Sequence, residues 1–163
     1  MERQRETWDT YFIKLAFMVA SRSTCSRRCV GAVLVQDHRV RGTGYNGAPA
    51  GAPECLEVGC LMRDGSCVRI IHAEANLILQ TDHSEREDAT VYCTDRPCLA
   101  CSNLLANSGI KEIVFCRDYH RDLELVSELL ASAGVILRHH TIPDETIEQL
   151  LGPEAAAVIT VAD

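Results

Sequence analysis

The sequence predicts an α/β fold of three layers, with helices on both faces of a five-stranded mixed sheet. Two observations predict it. Strand-like runs at 30–36, 39–46, 89–95, 111–116 and 135–139 alternate, after the first pair, with helix-like stretches joined by short connections. Such alternation gives a mostly parallel sheet covered on both faces. The first two runs are separated only by Asp37-His38, a hairpin that makes one strand antiparallel.

Each element has its own signal. Trp8, Tyr11, Phe12, Leu15, Met18 and Val19 recur at three- and four-residue spacing, which predicts an opening amphipathic helix. "VGAVLVQ" and "RVRGTGYN" are the hairpin strands. Residues 47–69 are rich in Gly, Pro and Cys and show no periodicity; a loop of that length needs something to pin it. "HAEANLILQ" starts a helix with His72 and Glu74 in its first turn, and "ATVYCTD" is a strand. Residues 98–107 form a helix stopped by Gly109, "KEIVFC" a strand, 123–133 a helix stopped by Gly134, and "VILRH" the last strand. The main domain is assigned to 1–142; the tail 143–163 holds one short helix and has no assigned place.

Composition narrows the function classes. The 163 residues, 47% hydrophobic and 24% charged, suit one globular core. A net charge of −7 repels polynucleotides unless a local basic patch overcomes it. No apolar run reaches membrane-spanning length, and "MERQRETWD" lacks a signal-peptide stretch, so the expectation is a cytoplasmic protein with no membrane partner. Nine cysteines, an odd number without a leader, point to metal ligation or redox chemistry rather than to a disulfide framework.

"PCLAC" at 97–101 follows a strand, and "HAEAN" at 72–76 opens a helix. Pro97 can begin a helix without losing a hydrogen bond, and the three-residue spacing sets Cys98 and Cys101 on one face. The positive helix end favours thiolates. With His72 they make three ligands of the kind zinc prefers, and the fourth position is left for a water that zinc acidifies. Glu74 is poorly sited to be a ligand and well sited to move protons. His-x-Glu followed by Pro-Cys-x-x-Cys is the pattern of zinc nucleobase deaminases.

Beyond these five positions, "RSTCSRRCVGAVLV", "GYNGAPAG", "HAEANLIL", "TDRPCLAC", "SGIKEIVF" and "AGV", in order over residues 8–139, resemble the deoxycytidylate deaminases, especially their bacterial and phage branch. The resemblance implies a cytidine-deaminase-like α/β/α fold and hydrolysis of dCMP to dUMP and ammonia, a step that supplies dUMP for dTMP synthesis. It also implies a homohexamer activated by dCTP, accompanied by Mg2+, and inhibited by dTTP. In that family Glu74 is the proton carrier, and the backbone around Ala73 and Cys98 holds the base edge. Gly44, Tyr45, Asn46 and Gly47 match the segment near the sugar and the regulatory nucleotide. Asn46 is the candidate for a sugar hydroxyl; read without the resemblance, it is an Asn-Gly turn. Arg27, then Arg22, is the candidate cation for the phosphate, and each reads equally as a solvated surface arginine. Tyr119 resembles an aromatic residue near the pocket mouth, or is an exposed loop tyrosine.

Cys25, Cys55, Cys60 and Cys67 occupy positions that resemble those of a non-catalytic zinc in the bacterial branch. Their spacing is wider than a zinc ribbon's. The unpatterned loop supplies the physical case, because soft thiolates closing around zinc would order it. Cys29 could replace Cys25, although its position directly before a strand reads as packing. Cys93 and Cys116 lie in strands and read as small buried hydrophobes. The rival functions share the engine or lack one. Free cytidine or dCTP differs only in phosphate contacts; a tRNA-adenosine deaminase wants a basic surface; a non-catalytic zinc module has no use for Glu74.

Overall fold

The computed structural model describes residues 4–119, 121–153 and 155–156. In chain order the elements are α1 (Trp8–Ala20), β1 (Gly31–Gln36), β2 (Arg39–Tyr45), α2 (Cys55–Val58), β3 (Met62–Arg63), β4 (Ser66–Cys67), α3 (Ala73–Leu79), α4 (His83–Arg86), β5 (Thr90–Asp95), α5 (Leu99–Ala106), β6 (Glu112–Arg117), α6 (Leu123–Ser132), β7 (Ile136–His139) and α7 (Asp144–Leu151). The main sheet has the order β2-β1-β5-β6-β7. Strand β1 is antiparallel to both β2 and β5, while β5, β6 and β7 are parallel. One strand is therefore reversed, as the hairpin requires, and it lies inside the sheet rather than at its edge.

Period-two alternation divides the core between the two faces. Val33 and Val35 join Phe12, Phe17, Tyr92, Val114, Ile147 and Leu151 beneath α1 and α7. Ala32 and Leu34 join Leu77, Val91, Cys93, Leu105, Ile113 and Leu130 beneath α3, α5 and α6. Asp37 and His38 both have positive φ (52° and 59°), the left-handed pair that a two-residue hairpin loop needs.

Three features differ from the sequence expectation. The buried stripe of α1 is Phe12, Ile13, Ala16, Phe17 and Ala20, while Trp8, Tyr11 and Met18 are exposed. The helix is turned so that its small residues meet β1; a Cβ on Gly31 would lie 2.1 Å from Ala16 O. The loop 47–69 holds α2 and the β3–β4 hairpin, and a second short helix, α4, is closed by an Asp82–Glu85 capping box. The segment after Pro143 also has a place. Ile147 and Leu151 of α7 are buried in the core beneath α1, so the packed domain runs past 142. The last residues of that tail, 157–163, lie outside the described residues. No helix among the described residues is long and apolar enough to cross a membrane.

On the other face, α3 lies against β2 at Gly44. A Cβ there would meet Ala73 O at 2.2 Å and Leu77 N at 2.6 Å, both backbone atoms that cannot rotate away. Gly44→Ala is therefore expected to cost about 1–3 kcal/mol or more through overpacking and to lower Tm by roughly 5 °C or more. Thermal melting checks it, and an unchanged Tm would mean that α3 does not depend on this contact.

Candidate active site

Strand β5 and the loop before α3 deliver the candidate ligands to one end of the sheet. His72 is the N-cap of α3, and Cys98 the N-cap of α5. Pro97 thus precedes the cap rather than opening the helix, and Cys101 is the third helical residue. The two sulfurs and the imidazole nitrogen lie within 4.8 Å of one another, and each sulfur is 3.5 Å from His72 Nδ1. A tetrahedral zinc with sulfur at about 2.3 Å and nitrogen at about 2.0 Å separates those ligand atoms by about 3.5 Å. The donor set fits zinc in both chemistry and spacing.

The electrostatics of the trio suit a cation. Cys98 is drawn down to about 4, first by its hydrogen bond with Cys101 and then by His72. Cys101 moves the opposite way, because it holds the proton that the pair shares. His72 is raised by its hydrogen bond to Cys98. Glu74 is 4% exposed on the first turn of α3. Burial pushes its carboxyl up to about 7, against the opposing pull of its own backbone N–H and of His72. A carboxyl poised there can both take and give a proton near neutral pH.

A second cluster lies in the 47–69 loop. The sulfurs of Cys55, Cys60 and Cys67 are within 4.8 Å of one another, with Cys55 and Cys67 Sγ atoms 3.7 Å apart. Two thiolates on one tetrahedral zinc lie about 3.8 Å apart. Burial, then Cys67 and Cys60, raise Cys55 to about 12, a cost that a bound cation would remove. Cys25 is not in this cluster. Its sulfur accepts from Arg27 N at 3.4 Å, folding its own turn, while the adjacent Ser26 Oγ lies 3.5 Å from Cys60 Sγ. Cys29 is also outside it and, with Cys116, packs in the core beneath α1; Cys93 packs on the other face.

The remaining candidates divide. Asn46 is buried with extended neighbours, and the Asn-Gly turn is not formed. Its Oδ1 accepts from Val30 N at 2.9 Å and its Nδ2 donates to Arg28 O at 2.8 Å, a clamp on the segment entering β1. Gly44, Tyr45 and Gly47 line a cavity of about 310 Å³ with Thr24, Asn76 and Gln80; Asn46 does not. Arg27 is exposed and donates to Met62 Sδ (3.3 Å) and Gly65 O (3.4 Å). Arg22 is exposed beyond the end of α1. Ala73 is fully buried at the start of α3, and Tyr119 is half-buried. A larger cavity of about 680 Å³, between Trp8, His38 and Arg138, contains none of these residues.

Sequence reasoning missed one group at this end of the sheet. Asp95, 4% exposed at the end of β5, accepts from Arg28 Nε (2.8 Å), Arg117 Nη2 (2.6 Å) and Thr94 Oγ1 (2.6 Å). The only signal was an acidic residue closing an otherwise apolar strand.

Residues 6–117 match the family described as the cytidine and deoxycytidylate deaminase zinc-binding region. A deoxycytidylate deaminase of Mycobacterium phage D29 is 46% identical over 127 residues, covering 70% of this chain and 98% of that protein. A deoxycytidylate deaminase of Schizosaccharomyces pombe is 41% identical over 154 residues, covering 89% of this chain; the chain spans about half (48%) of that relative's length. The crystal structure of dCMP deaminase from the cyanophage S-TIM5 in complex with dCMP and dUMP has the same fold, with a TM-score of 0.70 at 24% identity over 85% of this chain and all (100%) of that one.

The two clusters give a stoichiometry. Metal analysis of reduced, zinc-loaded protein is expected to find close to two zinc ions per chain. Cys60→Ser should lose one and lower Tm, while Cys98→Ser should lose the other. One zinc per chain in the wild type would remove the thiol-loop site.

Proposed function

The chain belongs to the cytidine and deoxycytidylate deaminase family, and on that premise we propose that it hydrolyses dCMP to dUMP and ammonia. The observation that carries the reading is the three-ligand cluster of His72, Cys98 and Cys101 at zinc spacing, with a buried carboxyl, Glu74, two residues from the His. Among the described residues no fourth His, Cys, Asp or Glu belongs to that cluster, as an open catalytic site requires.

His72, Cys98 and Cys101 would hold the zinc, which when bound makes a coordinated water acidic near neutral pH. Overall, a water oxygen replaces the amino group on C4 of cytosine, and that group leaves as ammonia. Glu74 carries the water's two protons in turn, the first to ring N3 and the second, taken from the new C4 hydroxyl, to the departing nitrogen. Ala73 and Cys98 stand at the start of their helices, where unpaired backbone N–H groups are available to the polar edge of the base. Burial of Glu74 keeps bulk water from competing for these protons.

A second zinc, on Cys55, Cys60 and Cys67 with Cys25 as the fourth ligand, is part of the proposal as a structural ion; the clustering of the first three and the approach of Ser26 to Cys60 support it. So are regulation by dCTP with Mg2+ and by dTTP, supported by the cavity along Gly44, Tyr45 and Gly47, and assembly as a homohexamer, supported by family resemblance alone. A cytoplasmic location accords with free thiols, which need a reducing compartment.

Glu74→Gln keeps the shape of the side chain and removes its acid–base function. It is expected to retain zinc and to lose turnover by about 10²–10⁴-fold. An ammonia-release assay over dCMP, deoxycytidine, dCTP and an adenosine-containing RNA, with and without dCTP and dTTP as effectors, reads both the role and the substrate. Turnover of Glu74→Gln at the wild-type rate would remove the role, and preference for another member of the panel would replace dCMP.

A further inference from the structure

The two thiol clusters differ in how freely their sulfurs can move. His72, Cys98 and Cys101 sit at the ends of helices packed against the core, and Cys101 is 3% exposed. Cys55, Cys60 and Cys67 stand on two small units. Cys55 opens α2, a short helix closed by its own Glu54–Glu57 capping box. Cys67 ends the β3–β4 hairpin, paired with Met62. Between the units lie only Gly59, Cys60 and Leu61, and Gly59 has a positive φ of 79°. Leu56, Val58, Leu61 and Met62 are exposed, so none of these side chains resists a shift of one unit against the other.

Two of the sulfurs are already near bonding distance. Cys55 and Cys67 Sγ lie 3.7 Å apart. A disulfide needs about 2.05 Å, so an approach of less than about 2 Å, shared between two side chains, would close it. The two also differ in access: Cys55 is 2% exposed, whereas Cys67 is half-buried. Cys25, the fourth ligand proposed above, comes from the segment entering β1, and its sulfur stands outside the group. The gathered thiols can therefore react with one another without moving it. Cys29, Cys93 and Cys116 lie buried in the core and offer an oxidant nothing comparable.

We propose that this cluster is an oxidant-sensitive clasp, in which a peroxide joins Cys55 to Cys67 and the loop gives up its metal. This rests on the structural-ion reading above and not on the deaminase activity. The Cys67 thiolate attacks one peroxide oxygen; the O–O bond breaks, hydroxide leaves and a sulfenic acid remains. The Cys55 thiolate then attacks that sulfur, the S–S bond forms and a second hydroxide leaves. Two thiolates have lost two electrons in total, and the peroxide has become two hydroxides. With two of its thiolates consumed, the cluster cannot keep the ion. A dithiol reductant reverses the bond. The change reaches the hairpin tip, where Gly65 O accepts from Arg27 (3.4 Å) and Ser66 Oγ from Arg121 (3.0 Å). A loosened hairpin thereby releases its hold on the segments entering β1 and α6.

The test treats full-length, zinc-loaded protein with hydrogen peroxide and reads released zinc, disulfides by peptide mapping, and amide exchange. Wild type is expected to lose close to one of its two zinc ions per chain and to gain a Cys55–Cys67 disulfide. The Val68 amide, which donates to Leu61 O at 2.8 Å, should exchange faster. Dithiothreitol with fresh zinc should reverse all three changes. Cys98→Ser, which keeps only the loop ion, should release it at the same peroxide dose; the wild type alone decides if that variant does not fold. Loss of the other ion first, a bond between Cys98 and Cys101, a bond to Cys60, no disulfide, or an unchanged Val68 amide each overturns the clasp and leaves the structural ion standing. Wild-type protein that holds no zinc at the loop cluster before treatment removes the ion reading, and this proposal with it.

Discussion

The candidate site depends on how closely two helices lie on the sheet. At Gly44 the backbone of α3 occupies the space where a side chain would be, and at Gly31 the backbone of α1 does the same from the other face. Those contacts fix the height of α3 above β2, and so the position of its N-cap, His72. The partner ligands come from the end of β5, which is tied to the same level through Thr94. Its Oγ1 accepts from Gly31 N at 3.1 Å and donates to Asp95 Oδ2 at 2.6 Å. Metal ligation tolerates about 0.2 Å of error in each bond. Rigid elements in direct backbone contact provide that tolerance better than loops do.

The two cysteine clusters sit on different supports and do different work. His72, Cys98 and Cys101 are carried on helix ends packed against the core. Cys55, Cys60 and Cys67 hang on a segment that buries little else: Leu56, Val58, Leu61 and Met62 are all exposed. What that segment brings together is three sulfurs rather than packed apolar side chains. The ordered loop then reaches outward. At its β3–β4 turn, Gly65 O accepts from Arg27 and Ser66 Oγ from Arg121, so one turn touches both the segment entering β1 and the segment entering α6.

Most of the layered fold was legible because it is local. Strand alternation, the Asp37-His38 turn and the helix stops at Gly109 and Gly134 are all written within a few residues of where they act. The exposed faces of α1 and the placement of α7 were not. Ala16 and Ala20 look neutral until β1 presents a glycine to them, and Ile147 and Leu151 find their partners over a hundred residues away in the chain. The site divides along the same line. His72, Glu74, Cys98 and Cys101 are recognisable from short spacing, whereas the Arg28–Asp95 pair spans 67 residues and has no local signature. Asn46 was legible as a residue with a task, but its task in the fold, clamping Val30 and Arg28, depends on a strand partner that spacing does not reveal. Cys25 was legible only by resemblance; its sulfur accepts from Arg27 N and stands outside the three-sulfur group.

Asp95 looks counterproductive beside a site for an anionic substrate, yet the arrangement needs it. Burying the guanidinium of Arg117 without a carboxylate would cost several kcal/mol. Asp95 meets that need with Oδ2 and uses Oδ1 to hold Arg28 in one orientation. Two positive charges against one negative leave a net attraction confined to a few ångströms. Beyond about 8 Å, the screening length at physiological salt, an approaching anion is out of reach of that group and meets a surface whose overall charge is −7. A single phosphate carried on a small nucleotide can enter the short-range field before repulsion accumulates. A polynucleotide must bring a phosphate every few ångströms along the acidic surface at the same time. An acidic surface of this kind opposes a polyanion more strongly than a small anion.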